Sequence, residues 1–523
     1  MSVMLTFQHV KKVSLALLGP ALLSGCLKLF GSDASSLQQS APGSDQPITV
    51  SITTVLYSSS PDFSSSFYRE LQQRMGVKLS IRAIPYNNYH NQFQMDLISQ
   101  KLTDIVLNLD PYLASSLGAI RQGAFHDLTP YLSDSRKYPN LARIPKTIWD
   151  NAKIYGKLYG IPRPTGLTDQ ALHIRKDWLD KLGLPIPRTI EEYTEALRAF
   201  TKLDPDGNNN RDTYGLTVYG PTLNAAAGPL GSAFGVNTPT FEGDHLLIPF
   251  MTAGYRDMIV WFRDLYMEGV IPPMYMLQLY GQERELAKNG RAGSIGNPLN
   301  GLWDIQLETK NRDPEAEWIT LSPLRGPGGY SSFQPQGYLG VLMIASHVPK
   351  SKVERILTIL DQTATQTFKD FERYGLKGQH YDVLDNGTIR INEALRKEEI
   401  GDLSIGVGYY DPHAKAVTPK ATGDFNERQI RLSEEYARVG VPTPLQGLVS
   451  DTYISRFADL FKDKNMLLTQ VITGETPIQE WDYYIARLKE DLYVRQMMRE
   501  YAEQYRLIHD NTTSQNSATR SVP

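Results

Sequence analysis

Ile48-Thr-Val-Ser-Ile-Thr-Thr-Val-Leu56 decides the fold class. The run is β-branched and alternates, the pattern of a strand. A Ser/Pro loop follows over 58–61, and the next stretch predicts a helix over 64–75 that stops at Gly76. A second strand is predicted over 77–84, a helix over 89–100 and a short strand over 103–109. Strands and helices alternating at this spacing predict an α/β chain with a largely parallel sheet. In open α/β sheets ligands sit beyond the carboxyl ends of the strands, so the loops 57–61 and 108–112 are early site candidates.

The whole chain is 523 residues. At roughly 100–200 residues per domain that suggests two or three structural units. Apolar residues make up 41% and aromatic residues 10%, enough for a large core. The 54 Lys and Arg against 57 Asp and Glu give a net charge of −3. That balance argues against a nucleic-acid binder and against an acidic disordered chain. No apolar run near ~20 residues follows the N-terminus, so a polytopic membrane protein is excluded. The C-terminal third reads as helical over 427–439, 454–461, 465–472, 478–489 and 491–507. Residues 511–523 are polar and read as a loose tail.

Cys26 is the single cysteine, which excludes an intramolecular disulfide framework. It follows Lys11, Lys12 and an apolar stretch over 13–23 that is too short for a permanent membrane span. Leu23-Ser-Gly-Cys26 resembles the bacterial lipobox. The resemblance implies a lipoprotein signal peptide over 1–25 and cleavage after Gly25. Cys26 would then carry a diacylglyceryl group and a palmitate, and 26–46 would be the flexible tether. Two acyl chains hold a protein to a membrane where one does so only marginally. The alternative is a buried free cysteine.

Five stretches, in order along the chain, are similar to the bacterial extracellular solute-binding proteins of family 1. They are closest to the lipoprotein branch, including alginate- and oligosaccharide-binding members, that serves ABC importers. The stretches are Lys157-Leu-Tyr-Gly-Ile-Pro162; Leu172-His-Ile-Arg-Lys-Asp-Trp-Leu-Asp-Lys-Leu-Gly183 with Pro187-Arg-Thr-Ile-Glu-Glu-Tyr193; Asp204-Pro-Asp-Gly-Asn-Asn-Asn-Arg-Asp-Thr-Tyr-Gly-Leu216; Gly337-Tyr-Leu-Gly-Val-Leu-Met-Ile-Ala345 with the helix 351–361; and Ile472-Thr-Gly-Glu-Thr-Pro-Ile-Gln-Glu-Trp-Asp482. The resemblance implies a two-lobed, periplasmic-binding-protein type II-like α/β fold with an interlobe hinge and extra C-terminal helices. Lobe 1 would take 47–165 and 336–430, and lobe 2 would take 166–335 and 431–510. Crossovers are expected near 163–170 and 335–340, with the late helices bracing lobe 2.

Asp204-x-Asp206-x-Asn208-x-Asn210-x-Asp212 places oxygen ligands at alternate positions of a tight loop, which suits calcium. It is not an EF-hand, because Gly215 stands where the bidentate Glu would be and Asn209 where the turn glycine would be. It resembles the calcium loop of alginate-binding members, with Thr213 where some of them carry Glu. The alternative is a polar surface turn. Sugar binding needs flat apolar faces beside hydrogen-bonding groups, and the chain has six Trp and 29 Tyr. Asn108, Asp110, Arg163, Trp303 and Tyr338 are the ligand-binding candidates; each has a packing or surface role as its alternative. Trp178 and Trp261 sit at helical apolar positions and are expected in the core.

Catalytic motifs are missing: no H-E-x-x-H, G-x-S-x-G, Walker loop or G-x-G-x-x-G occurs. The resemblance implies a monomeric binding protein, not an enzyme, held by lipid at the extracytoplasmic face of the cell membrane. It would capture a carbohydrate for ABC importer permease subunits, with a structural Ca2+. The alternatives are the same fold binding a peptide or signalling solute, or a surface-anchored glycan-processing enzyme.

Overall fold

The computed structural model describes residues 47–519 apart from 169, 221–226, 386–388 and 404. Cys26, the signal peptide over 1–25 and the tether over 26–46 therefore lie outside the described residues.

Ile48–Leu56 forms the predicted strand. Its alternation suggests one apolar face, yet every residue from Ile52 onward is buried. Strands joined through helices are covered on both faces, so the second face must be buried too. This strand pairs in parallel with Val77–Pro85 and with Ile105–Asn108. The connecting helices are Ser66–Met75, ended by Gly76 in the left-handed region (φ 61), and Tyr86–Ser99. The second helix begins at Tyr86 rather than 89, directly after Pro85.

The largely parallel sheet expected from the sequence is in fact mixed. Tyr338–Ile344 runs antiparallel between Ile105–Asn108 and Gly160–Pro164. It arrives from the other lobe, not through a local crossover, so nothing imposes the parallel sense. The second sheet has the order Trp318–Thr320, Gln170–Arg175, Ala292–Pro298, Tyr214–Thr217, and only its last pair is parallel.

Each sheet organises its own core. Ile52, Phe67, Leu71, Leu107, Leu342 and Leu357 belong to the first. Leu172, Trp178, Phe200, Phe262, Trp481 and Met497 belong to the second. Trp178 is fully buried, and Trp261 is half-buried against the same core with its Nε1 donating to Thr194 Oγ1 at 2.7 Å. The Arg175-Lys-Asp-Trp178 stretch proves to be architecture. Arg175 is only 1% exposed, pairs with Asp177 at 2.6 Å and Asp313 at 2.8 Å, and lies 4.5 Å from the Trp178 ring.

The chain leaves the first sheet at Pro164 and enters the second at Gln170, then returns to start the strand at Tyr338. A further crossing brings Pro412 against Gly166. A Cβ at 166 would lie 2.1 Å from the Pro412 carbonyl oxygen, so these two crossing segments touch only because residue 166 is glycine. The helix Gly423–Arg438 packs on the second sheet: Phe425 joins the cluster of Ile295 and Trp318, and the Tyr436 hydroxyl donates to Leu321 O at 2.9 Å. The lobe boundary expected at 430 therefore falls inside a helix that stays with one sheet.

Late helices do more than brace lobe 2. Trp481 and Met497 fill its core, but in Asp451–Leu460 the side chain of Tyr453 packs against the clusters of both lobes. Asp451 of the same helix accepts from Arg121 at 2.9 Å. The last helix runs Leu492–Thr519, so the stretch expected to be a loose tail from 511 is helical as far as Thr519; no Gly or Pro interrupts it.

Candidate functional site

Between the two sheets lies a cavity of about 450 Å³. The first lobe supplies Tyr86, His90, Asn108 and Asp110, and the second supplies Tyr219 and Tyr280. Its position follows from the parallel strands: Pro85 ends one and Asn108 another, so Tyr86 and Asp110 stand at carboxyl ends where helix and loop begin.

Tyrosines form the wall. The Tyr57 and Tyr86 rings stack at 5.5 Å and 28°. Tyr280 reaches across from the other lobe, 4.9 Å from Tyr86 and 6.3 Å from Tyr57, and Tyr219 meets its edge at 5.9 Å. Arg284 holds Tyr280 from behind, its guanidinium 4.8 Å from the ring and its Nη2 donating to the hydroxyl at 2.9 Å. Neighbouring Glu283 is buried with a carboxyl accepting from Gly281 N at 2.7 Å, and burial raises its pKa.

Asn108 and Asp110 are brought together at this cavity. Asn108 Nδ2 donates to Ser116 Oγ at 3.0 Å and its Oδ1 accepts from Asp110 N at 3.1 Å, so the side chain shapes the loop it ends. Asp110 accepts from Tyr112 N at 3.2 Å; burial raises its carboxyl pKa, partly opposed by that bond and by the charge of His90. Gln278 also lines the cavity, with a buried Oε1 that has no hydrogen-bond partner.

The remaining candidates lie elsewhere. Arg163 is turned inward: its Nε donates to Gly406 O at 2.8 Å, and its guanidinium faces the buried carboxyl of Glu372, which accepts from Gly406 N at 3.0 Å. Trp303 packs edge-on against Phe425 at 5.1 Å in the helix Leu302–Lys310. Tyr338 donates its hydroxyl to Asn151 O at 3.2 Å. None of the three lines the tyrosine cavity.

What sequence reading missed is Tyr86, Tyr219 and Tyr280. Tyr86 was findable, since it directly follows a predicted strand; Tyr219 and Tyr280 become cleft residues only when the second lobe is placed opposite the first. A second cavity of about 370 Å³ lies on the other side of the 108–113 loop, sharing Asp110 and Leu113 with the first.

The Asp/Asn loop is compact. Asp204 (φ 49), Gly207 (φ 73) and Asn209 (φ 61) are left-handed, which folds the oxygens inward. Asp204 accepts from Asn208 N at 3.1 Å and Asn209 N at 3.0 Å, and Asn208 Oδ1 accepts from Asn210 N at 2.7 Å. Asn208 Nδ2 donates to Asp206 at 2.8 Å and to Asp212 at 3.2 Å. Asp206 Oδ1 is buried without a partner, and burial together with the adjoining Asp204 carboxyl raises the Asp206 pKa. These are features a cation would relieve, and the residues present fit one once the Asn208 amide turns to present its oxygen. Thr213 does not join them: its hydroxyl donates to Phe200 O at 2.7 Å. Among the described residues no three Asp, Glu, His or Cys side chains are already gathered as a metal cage.

Solved proteins share this fold. The profile described as "Bacterial extracellular solute-binding protein" matches residues 57–264. The chain is 28% identical over 480 residues to Lipoprotein LipO of Bacillus subtilis (strain 168), covering 88% of this chain and 93% of that protein. It is 28% identical over 494 residues to the polygalacturonan/rhamnogalacturonan-binding protein YtcQ of the same strain, covering 93% and 96%. Among solved structures, the alginate-binding protein AlgQ2 without calcium ion superposes with a TM-score of 0.68 at 18% identity, covering 88% of this chain and 99% of that one. The Streptococcus pneumoniae substrate-binding protein FusA, in complex with kestose, gives 0.65 at 19% identity, covering 88% and 100%. An EF-hand mutant of FusA has also been solved and gives 0.65.

Proposed function

We propose that this chain is a bacterial extracellular solute-binding protein that captures an oligosaccharide in its interlobe cleft for an ABC importer. The observation that carries the reading is the tyrosine wall contributed by both lobes. Sugar rings offer apolar C–H faces and a rim of hydroxyls; tyrosine faces meet the first, and Asp110, held in place by Asn108, and Gln278 meet the second. A ligand touching both walls favours the closed arrangement of the lobes over the open one, which is the form an importer must distinguish.

Binding without turnover fits the cleft. Retaining and inverting glycosidases use a pair of carboxylates, whereas among the described residues Asp110 is the single Asp or Glu lining the tyrosine cavity. In this reading the protein is a monomer, tethered through Cys26 to the extracytoplasmic face of the membrane, and it passes its ligand to permease subunits. The Asp204, Asp206, Asn208, Asn210 and Asp212 loop would hold a structural Ca2+, a role supported by the unpartnered, inward-facing oxygen of Asp206.

A thermal-shift screen of the protein against neutral and acidic oligosaccharides, with peptides as a parallel set, tests the reading. A saccharide at one hundred times its Kd raises stability by ~2.7 kcal/mol. Tyr280→Ala should weaken that saccharide about tenfold, because the ring's contact across the cleft is lost. Stabilisation by peptides and by no saccharide would overturn the proposal.

A further inference from the structure

The second chamber, about 370 Å³, is not accounted for by the tyrosine wall. It falls within the size range of small-molecule sites, ~300–1,000 Å³. Its walls come from the 108–113 loop, the crossover at Gln336, the 443–448 segment and the C-terminal helices. Two acceptors and one cation stand on those walls. The Oε1 atoms of Gln336 and Gln446 are buried and accept no hydrogen bond. Lys464 starts the helix Lys464–Thr473, with its ammonium 5.2 Å from the Phe250 ring centroid. Burial lowers the pKa of this ammonium, which shares the chamber with Asp110.

Buried acceptors and a desolvated cation are costly without partners. They gather in one cavity, while among the described residues the cavity beside it has no Lys or Arg on its walls, so the second chamber is the part of the cleft that offers a lysine ammonium. We propose that the second chamber is an anion subsite, in which Lys464 receives the carboxylate of a uronate residue and Gln336 and Gln446 accept hydrogen bonds from that ring's hydroxyls. The ligand is then an acidic oligosaccharide with its charged ring in this chamber and a further ring against Tyr86 and Tyr280. This rests on the oligosaccharide reading above.

Calorimetric titration of the full chain with trigalacturonate and with its methyl ester tests it, since the two differ in charge and share the ring. The wild type should bind the acid at least ten-fold tighter than the ester. Lys464→Met should bring the acid's affinity down to the ester's, Lys464→Arg should keep most of the preference, and added salt should narrow it. Equal binding of acid and ester by the wild type, or an unchanged preference in Lys464→Met, overturns the anion subsite and leaves the oligosaccharide reading standing. Failure of these and of neutral oligosaccharides to bind overturns that reading, and the subsite with it.

Discussion

The Asp206 carboxyl stands beside that of Asp204 with one oxygen buried and unbonded, and its pKa is raised. A raised folded pKa means that the proton is favoured on folding, so the group's stabilising share is present below the unfolded pKa and is lost as pH rises through the folded one. A cation reverses that sign. Asp206→Asn should therefore raise Tm in a chelator at neutral pH and abolish the gain in Tm that calcium gives the wild type; a calcium response surviving in the variant would sink the loop assignment. At this scale the sequence was legible for oxygens in a tight local loop, because alternate positions of one short segment converge whatever the rest of the chain does. It was not legible for Arg163, whose neighbours Glu372 and Gly406 are distant in sequence.

Helix starts and chain crossings are decided by short contacts between elements. In Ile190–Lys202, Thr189 Oγ1 accepts from Glu192 N at 3.2 Å while Glu192 accepts from Arg188 N at 2.7 Å, an arrangement readable in Arg188-Thr-Ile-Glu-Glu192. Gly166 is not readable that way, since Pro412 faces it across the crossing. Gly166→Ala should cost the ~1–3 kcal/mol of an overpacked site and so lower the urea midpoint; an unchanged midpoint would mean that the crossing segments are loosely held. The second sheet carries a buried histidine. His173 bonds Thr320 Oγ1 at 2.9 Å and Asn297 O at 3.0 Å, and burial lowers its pKa to about 4. With the folded value below the unfolded one, its contribution is present above about 6.5 and is lost as pH falls through about 4. Stability measured by urea unfolding should fall across that window, and His173→Gln should flatten the slope.

The lobes meet through rings: Tyr280 of one side lies against Tyr57 and Tyr86 of the other. A ligand seated between them pulls on both, so saturating oligosaccharide should reduce the radius of gyration in small-angle scattering. A radius unchanged under conditions where calorimetry shows full occupancy would count against closure. The sequence alone determined the α/β alternation, the run of alternate oxygens over 204–212 and the core role of Trp178, because each depends on residues close together in the chain. Tertiary structure decided the rest. The antiparallel return strand Tyr338–Ile344, the helix Gly423–Arg438 on the second sheet, the tyrosine wall and the chamber around Lys464 all join segments far apart in sequence. Hydrophobic burial drives such elements together without direction, so which side chains come to face one cleft is settled by packing the lobes and not by any local pattern.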